Sequence, residues 1–432
     1  MVKRLRAVYN IIFFLCVPLL LVRIFWRGWR DRAYRQRWQE RFSCKLPAAP
    51  SQRPVWIHAV SVGETVAATP IVNHLRDHFP TLPILFTTTT PTGAAAAMNR
   101  FGESILQVFF PYDLPHVVSR YVEHFNPRLL ILMETELWPN LLNCCQGKNI
   151  PVLIANARLS EKSASRYRRF PSITGTMLSS IDCFAVQSKE DRDRFLSLGA
   201  ANDLIEVTGS LKFDVELPPS TAESGQALRR FLGTNRAVVM AGSTRDGEEE
   251  LLLETFKELR NRYPDLLLLI APRHPERFDI VADLCRKERV RVSRKSFNDP
   301  CTSEIQVYLI DSMGELPSFY AAADVAFVGG SLLPYGGHNV LEPAALGIPV
   351  VVGRYTYNFS DIVAILRSVG ALTIADKPSD IGKRLEEWLN NSDARDRAGT
   401  AGRDIVMENR GAAAKVMQIV AKMISASAEP VS

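Results

Sequence analysis

Patterned cysteine is what this 432-residue chain most clearly lacks. Its seven cysteines (Cys16, Cys44, Cys144, Cys145, Cys183, Cys285 and Cys301) show no CxxC spacing and no pairable rhythm. A zinc ribbon and a disulfide scaffold are thereby excluded, and a reducing compartment fits, with most of the thiols as small core residues. The seven histidines are scattered, so no metal site can be assembled from them. Strong charge is also missing. The formal net charge is +6, and much of the excess falls in the first forty-odd residues. Nothing further along is basic enough for a nucleic-acid binder, and no zinc-finger or RNA-binding signature appears. Short repeats and low-complexity tracts are absent as well.

One long apolar run is present. "VYNIIFFLCVPLLLVRIFW" extends from Val8 to Trp26, with Lys3, Arg4 and Arg6 before it and Arg23, Arg27, Arg30 and Arg32 at its far end. No small-residue cleavage site follows, which argues against a signal peptide. The strict apolar stretch is slightly short of the roughly 20 residues a span needs, and Pro18 interrupts it. The run reads as a membrane anchor, either a marginal span or a helix lying in the interface; a buried core helix is the alternative. The heavier basic flank on its C-terminal side puts the body of the protein in the cytoplasm.

The remaining length exceeds what one core normally serves, and 47% hydrophobic with 23% charged residues is ordinary globular composition. A basic helix, "RDRAYRQRWQERF", and a Pro-rich connector lead to Val55. Apolar strands are expected at 55–60, 83–87, 106–110, 129–133, 151–155 and 183–186, each followed by a helical stretch. The rhythm pauses around 206–225 and restarts with "AVVMAG", "LLLLIAP", "QVYLID", "VAFVGG" and "PVVVG". Such alternation argues for parallel sheets of βαβ units. The expected division is 1–45 for anchor and basic helix, 46–217 for one Rossmann-like domain and 218–432 for a second, its last helix packing back on the first. Strand ends of two doubly wound domains facing a cleft suit a two-substrate enzyme or a hinged binding protein.

Several strand ends carry chemistry. Glu64 in "HAVSVGE" is either a base in a pocket or a capping acid in a first helical turn. Glu134 and Glu136 in "LMETELWPN" would share one face of an extended segment as acid/base equipment, unless one only caps the following helix. Lys212 and Asp214 in "TGSLKFD" could meet an anionic substrate or form an interdomain salt bridge. "KEDRDRF" contains a nominal DxD but reads as a solvated helix face. In the second half, "VGGSLLPYGGHNVLEPAALGIPVVVG" sets glycine pairs before a helix expected from near Asn339 to Gly347, a phosphate-attracting arrangement. It is neither GxGxxG nor a P-loop, so dinucleotides and ATP hydrolysis are not indicated. Glu342 could accept from ribose hydroxyls or answer the helix dipole. Arg273 and His274 in "IAPRHPER" could clamp a phosphate or be solvated surface groups. Met313, Gly314 and Glu315 form either a ligand-touching turn or a plain helix start.

Nine stretches in one order, "HAVSVGE", "TPTG", "PYDLP", "METELWPN", "ANARLS", "GSLKFD", "PRHPER", "AFVGGS" and "GGHNVLE", resemble the 3-deoxy-D-manno-octulosonic acid (Kdo) transferases of lipopolysaccharide synthesis. The resemblance implies a GT-B glycosyltransferase with CMP-Kdo as donor, the tetraacyl-disaccharide lipid A precursor as acceptor, and no protein-bound metal or other cofactor. It implies that Glu64 is the catalytic base and that Glu134 and Lys212 support the transition state. CMP would contact Pro272, Arg273, Met313, Gly314, Glu315, Asn339, Val340, Leu341 and Glu342. "GRYTYNF" from Gly353 departs slightly, where proline is expected after the glycine. A GT-B enzyme using another nucleotide sugar, and a membrane-tethered nucleotide-binding protein without catalysis, are the competing readings.

Overall fold

The computed structural model describes residues 2–30, 32–215 and 217–426; the basic side chains of Lys3, Arg4, Arg30 and Arg32, counted above as flanks, lie outside the described ones. The chain divides into two compact units, Met1–Asp214 with Arg410–Ser432, and Val215–Asn409. Each unit is built on one seven-stranded sheet, and every strand pairing is parallel. Each unit is a Rossmann-like domain.

In the first unit the strands are β1 (Val55–His58), β2 (Ile84–Thr88), β3 (Leu106–Phe109), β4 (Leu129–Met133), β5 (Val152–Ala157), β6 (Cys183–Val186) and β7 (Ile205–Val207), in the order β3-β2-β1-β4-β5-β6-β7. Both faces are covered, which is why these strands read as unbroken apolar runs. Val55, Ile57 and Ala59 face one core and Trp56 the other. Chain order reverses between β1 and β4, so a ligand crevice is expected outside their carboxyl ends.

Three helices matter here. Helix α1 spans Val2–Arg30, α2 spans Val62–Ala67 and α3 spans Thr69–His78. The stretch expected to be a basic helix is instead two short 3₁₀ turns, Arg32–Arg35 and Trp38–Phe42. Glu40 explains the second turn: buried, it accepts the Phe109 N–H at 2.9 Å and pairs with Arg37 at 2.6 Å, tying this segment to the edge of the sheet. The last helix, Ala412–Ala426, belongs to the first unit. Ala413, Val416, Ile419 and Val420 enter its core, and the Asp214 carboxylate accepts the Gly411 and Ala413 N–H groups at 2.6 and 2.5 Å. Asp214 is therefore a helix cap within the first unit. All seven cysteines are free, and only Cys145, Cys183 and Cys285 are buried.

The second unit holds β8 (Val238–Thr244), β9 (Leu267–Pro272), β10 (Val292–Arg294), β11 (Val307–Leu309), β12 (Val325–Val328), β13 (Val350–Gly353) and β14 (Leu372–Ala375), in the order β10-β11-β9-β8-β12-β13-β14. Its reversal point lies between β8 and β12.

Candidate active site

In the first unit the two strands at the reversal point each release a carboxylate. After β1 the chain turns, and the Ser61 hydroxyl accepts the Glu64 N–H at 3.4 Å, starting α2. Glu64 reaches back in return. One oxygen accepts the Val60 N–H at 2.8 Å and the other the Ser61 O–H at 3.0 Å. This is a capping box with the acid reaching one residue further back than usual. Capping does not exhaust the residue, however. Burial pushes its carboxyl up to about 7, with the charges of Glu134 and Glu136 adding to the rise against the Val60 and Ser61 hydrogen bonds. The two readings of Glu64 are thus compatible.

Glu134 leaves β4 in the left-handed region, at φ 56°, while its N–H still bonds the Ala155 carbonyl at 2.9 Å. The expected extended alternation of Glu134 and Glu136 is thereby broken. The Glu134 carboxylate lies 3.8 Å from Arg158 and 4.0 Å from Lys212. Glu136 accepts the Trp138 indole N–H at 3.0 Å, and burial pushes it, too, up to about 7. Neither acid caps the helix that starts at Pro139. Asp113 does so, accepting the Asn140 and Leu141 N–H groups at 3.0 and 2.9 Å. Lys212 rides on a 3₁₀ turn, Leu211–Phe213, that packs on α2. Buried Asn156 fixes that turn through the Leu211 N–H, at 3.0 Å. Three carboxylates and two cations therefore gather at the ends of β1, β4 and β5. Arg158 and Asn156 were not singled out from the sequence; the signal was the polar "NAR" closing an otherwise apolar strand. Asp191 of "KEDRDRF" turns inward, buried, to accept the Leu159 N–H at 2.8 Å, so that helix face is not simply solvated.

The second unit assembles the other group of expected residues. Pro272 ends β9, and Arg273 donates its N–H to Thr244 at 3.0 Å while its side chain stays exposed. Beside it, Arg245 lies over the Tyr335 ring at 4.6 Å and contacts the His274 ring. Arg277 is occupied by Asp246 and Glu249, whereas among the described residues no carboxylate pairs with Arg245 or Arg273. Burial, followed by Arg273 and Arg245, pushes His338 down to about 4, so this imidazole is neutral at pH 7. Its Nε2 is buried with no hydrogen-bond partner among the described residues.

Glu248 organises this site. Fully buried, it accepts the N–H groups of Gly330, Ser331 and Leu332 at 2.7–2.9 Å and that of Arg245 at 2.9 Å. One carboxylate therefore fixes the glycine-rich loop after β12 to the Arg245 backbone. Sequence reasoning passed over "STRDGEE", although a polar turn after a buried strand was the available sign. The helix expected from Asn339 to Gly347 is shorter, Leu341–Ala345. Asn339 folds over its start, accepting the Leu341 N–H at 3.1 Å and donating to Glu342 at 3.2 Å. Val340 and Leu341 are buried, so neither offers an exposed side chain to a ligand. Gly314, at φ 89°, makes the turn that exposes Met313. Glu315 bonds Lys295 and Ser312, both at 2.6 Å, and these contacts hold it below the usual carboxylate range despite some burial. Among the described residues no group of three His, Cys, Asp or Glu side chains is placed to hold a metal ion.

The chain is similar to known proteins. Residues 36–215 match the family described as 3-deoxy-D-manno-octulosonic-acid transferase, and residues 237–405 match glycosyl transferases group 1. The chain is 40% identical to the 3-deoxy-D-manno-octulosonic acid transferase of Haemophilus influenzae, over 96% of this chain and 98% of that one. It is 37% identical to the enzyme of the same name from Bordetella pertussis, over 85% and 87%. A solved glycosyltransferase from Rickettsia africae, 14% identical, covers 87% of this chain and 99% of its own at a TM-score of 0.51, a likeness of fold.

Proposed function

This chain belongs to the 3-deoxy-D-manno-octulosonic acid transferase family of glycosyltransferases, and from that premise we propose that it moves Kdo from CMP-Kdo to a lipid A precursor with Glu64 as general base. The observation that carries the role of Glu64 is its carboxylate, aimed by two hydrogen bonds and brought to about 7. A base is most effective when its pKa lies near the working pH.

Breaking the bond between Kdo and the CMP phosphate builds positive charge on the sugar. The acceptor hydroxyl attacks the anomeric carbon as Glu64 takes its proton, and the phosphate departs from the opposite face with inversion, by analogy with inverting glycosidases. Glu134, flanked by Arg158 and Lys212, is a fixed charge group that answers the changing charge around this centre. On the donor side, Arg273 and the Asn339–Glu342 segment hold CMP, with the Met313–Glu315 turn. The nearby unpaired Arg245 adds positive charge for the phosphate. The apolar helix α1 attaches the enzyme to the cytoplasmic face of the inner membrane, where a lipid acceptor resides.

Mass spectrometry of the lipid acceptor after incubation with CMP-Kdo tests the reading, since each transfer adds one Kdo mass step. No step with CMP-Kdo, but one with another nucleotide sugar, would move the enzyme to a different donor class.

A further inference from the structure

Membrane attachment through α1 leaves open how the helix meets the bilayer, and the contacts of α1 bear on that. A spanning helix touches its own globular body only near the end that joins it. Here the contacts run from Arg6 to Phe25. Near the N-terminal end, Arg6 bonds Asn143, the Tyr9 hydroxyl donates to Asp113 at 3.0 Å, and Asn10 accepts from Asn140 at 2.8 Å. Towards the other end Ile24 is buried at 6% exposure, Phe25 packs on Trp38, and the charge of Arg23 acts on Tyr112. Tyr9, Phe13, Leu20 and Ile24 are all at least half-covered and recur at helical spacing, so one stripe faces the body from end to end. From Tyr9 to Ile24 that stripe covers about 22 Å of helix, most of a bilayer core.

The opposite stripe is bare. Ile11, Leu15, Leu19, Val22 and Trp29 are between 60% and 84% exposed. Basic residues stand at both ends of the helix, and no acid occurs before Asp31. A span would carry one of these basic clusters to the far side of the membrane. A helix lying flat would give both to a single anionic surface, with tryptophans at headgroup depth.

We propose that α1 is an in-plane membrane helix: held lengthwise against the first unit by the Tyr9–Asp113 and Asn10–Asn140 contacts, it seats its bare apolar stripe in one leaflet of an anionic bilayer and does not cross it. This rests on the membrane reading above and adds to it a topology with both ends of α1 on one side. The latch is a polar one, and Asp113 is suited to it because it already caps the helix that starts at Pro139.

The test uses the full chain with an epitope tag before Met1, expressed in bacterial cells and converted to intact spheroplasts and sealed inverted inner-membrane vesicles. Protease should remove the tag in inverted vesicles and leave it whole in spheroplasts. The reverse pattern means that α1 crosses the membrane and overturns the proposal. A chain that does not sediment with membranes at all would instead sink the membrane reading itself, and a soluble dimer in that case would show the bare stripe to be a subunit contact. A second arm locks the latch: Asn10→Cys with Asn140→Cys, joined by a short bis-maleimide, should sediment with membranes as the unlinked protein does. Release from the membrane on cross-linking would also overturn the proposal.

Discussion

As the proposed base, Glu64 has to be ionised to take a proton, and burial pushes its carboxyl up to about 7. Turnover should therefore climb as pH rises through about 7 and level off above it. Glu134→Gln removes a charge that raises the Glu64 pKa, so it should move that limb to lower pH in addition to slowing the reaction; an unmoved limb would mean that Glu64 is not the titrating group. Glu64→Gln should lose at least roughly 10²-fold in turnover and keep wild-type CMP affinity in calorimetry, while Arg273→Ala should cost roughly 1.5–3 kcal/mol of CMP binding. Glu136 offers a stability test with a definite sign. Its folded pKa, about 7, stands above the ordinary 4.5, so between those values the folded chain holds the extra proton and stability falls as pH rises. Glu136→Gln, which keeps an acceptor for Trp138, should raise the thermal midpoint more at pH 8 than at pH 4.5. The sequence offered base and cap as rivals at Glu64 because burial, which separates them, depends on residues far along the chain. It misjudged Glu134 for a different reason: alternation assumes extended backbone, and φ 56° is not extended.

The long central strands were legible because burial on both faces writes them as continuous apolar runs. Three edge strands escaped. Ile205–Val207, Val292–Arg294 and Leu372–Ala375 are each three or four residues at a sheet edge, where one flank lacks a partner and polar residues are tolerated. The glycine-rich loop shows the same limit from another side. Its glycines announced a backbone-lined site, but what holds it is Glu248, more than eighty residues earlier in the chain. Glu248→Gln turns an acceptor for four N–H groups into a side chain with one oxygen and two donors. Each buried N–H left without a partner costs about 1–3 kcal/mol. A lower thermal midpoint together with weaker CMP binding is expected. Weak CMP binding at an unchanged midpoint would assign Glu248 to the ligand and not to the loop.

At the scale of the molecule, the two units carry separate sheets and separate cores, and the proposed roles divide between them. The proposed proton transfer falls in the first unit and the proposed nucleotide binding in the second, whereas α1 belongs to the first unit alone. Deleting residues 2–30 should therefore act unevenly. It removes the bare stripe and its basic ends, so binding to anionic vesicles should collapse. It also strips Tyr9 and Asn10 from Asp113 and Asn140, and uncovers the Leu142, Ile173 and Met177 surface beneath the helix. The first unit should consequently unfold at a lower temperature than in the full chain. CMP affinity should not change, because the deleted segment belongs to the first unit and the proposed nucleotide loops to the second. Turnover on detergent-dispersed acceptor should also survive below the new unfolding temperature, since Glu64, Glu134 and Lys212 are held by contacts that lie outside α1. Vesicle flotation, calorimetry with CMP and a thermal melt on the same truncated protein separate these effects. Flotation that survives the deletion would transfer the membrane contact to the rest of the first unit and leave α1 as packing alone.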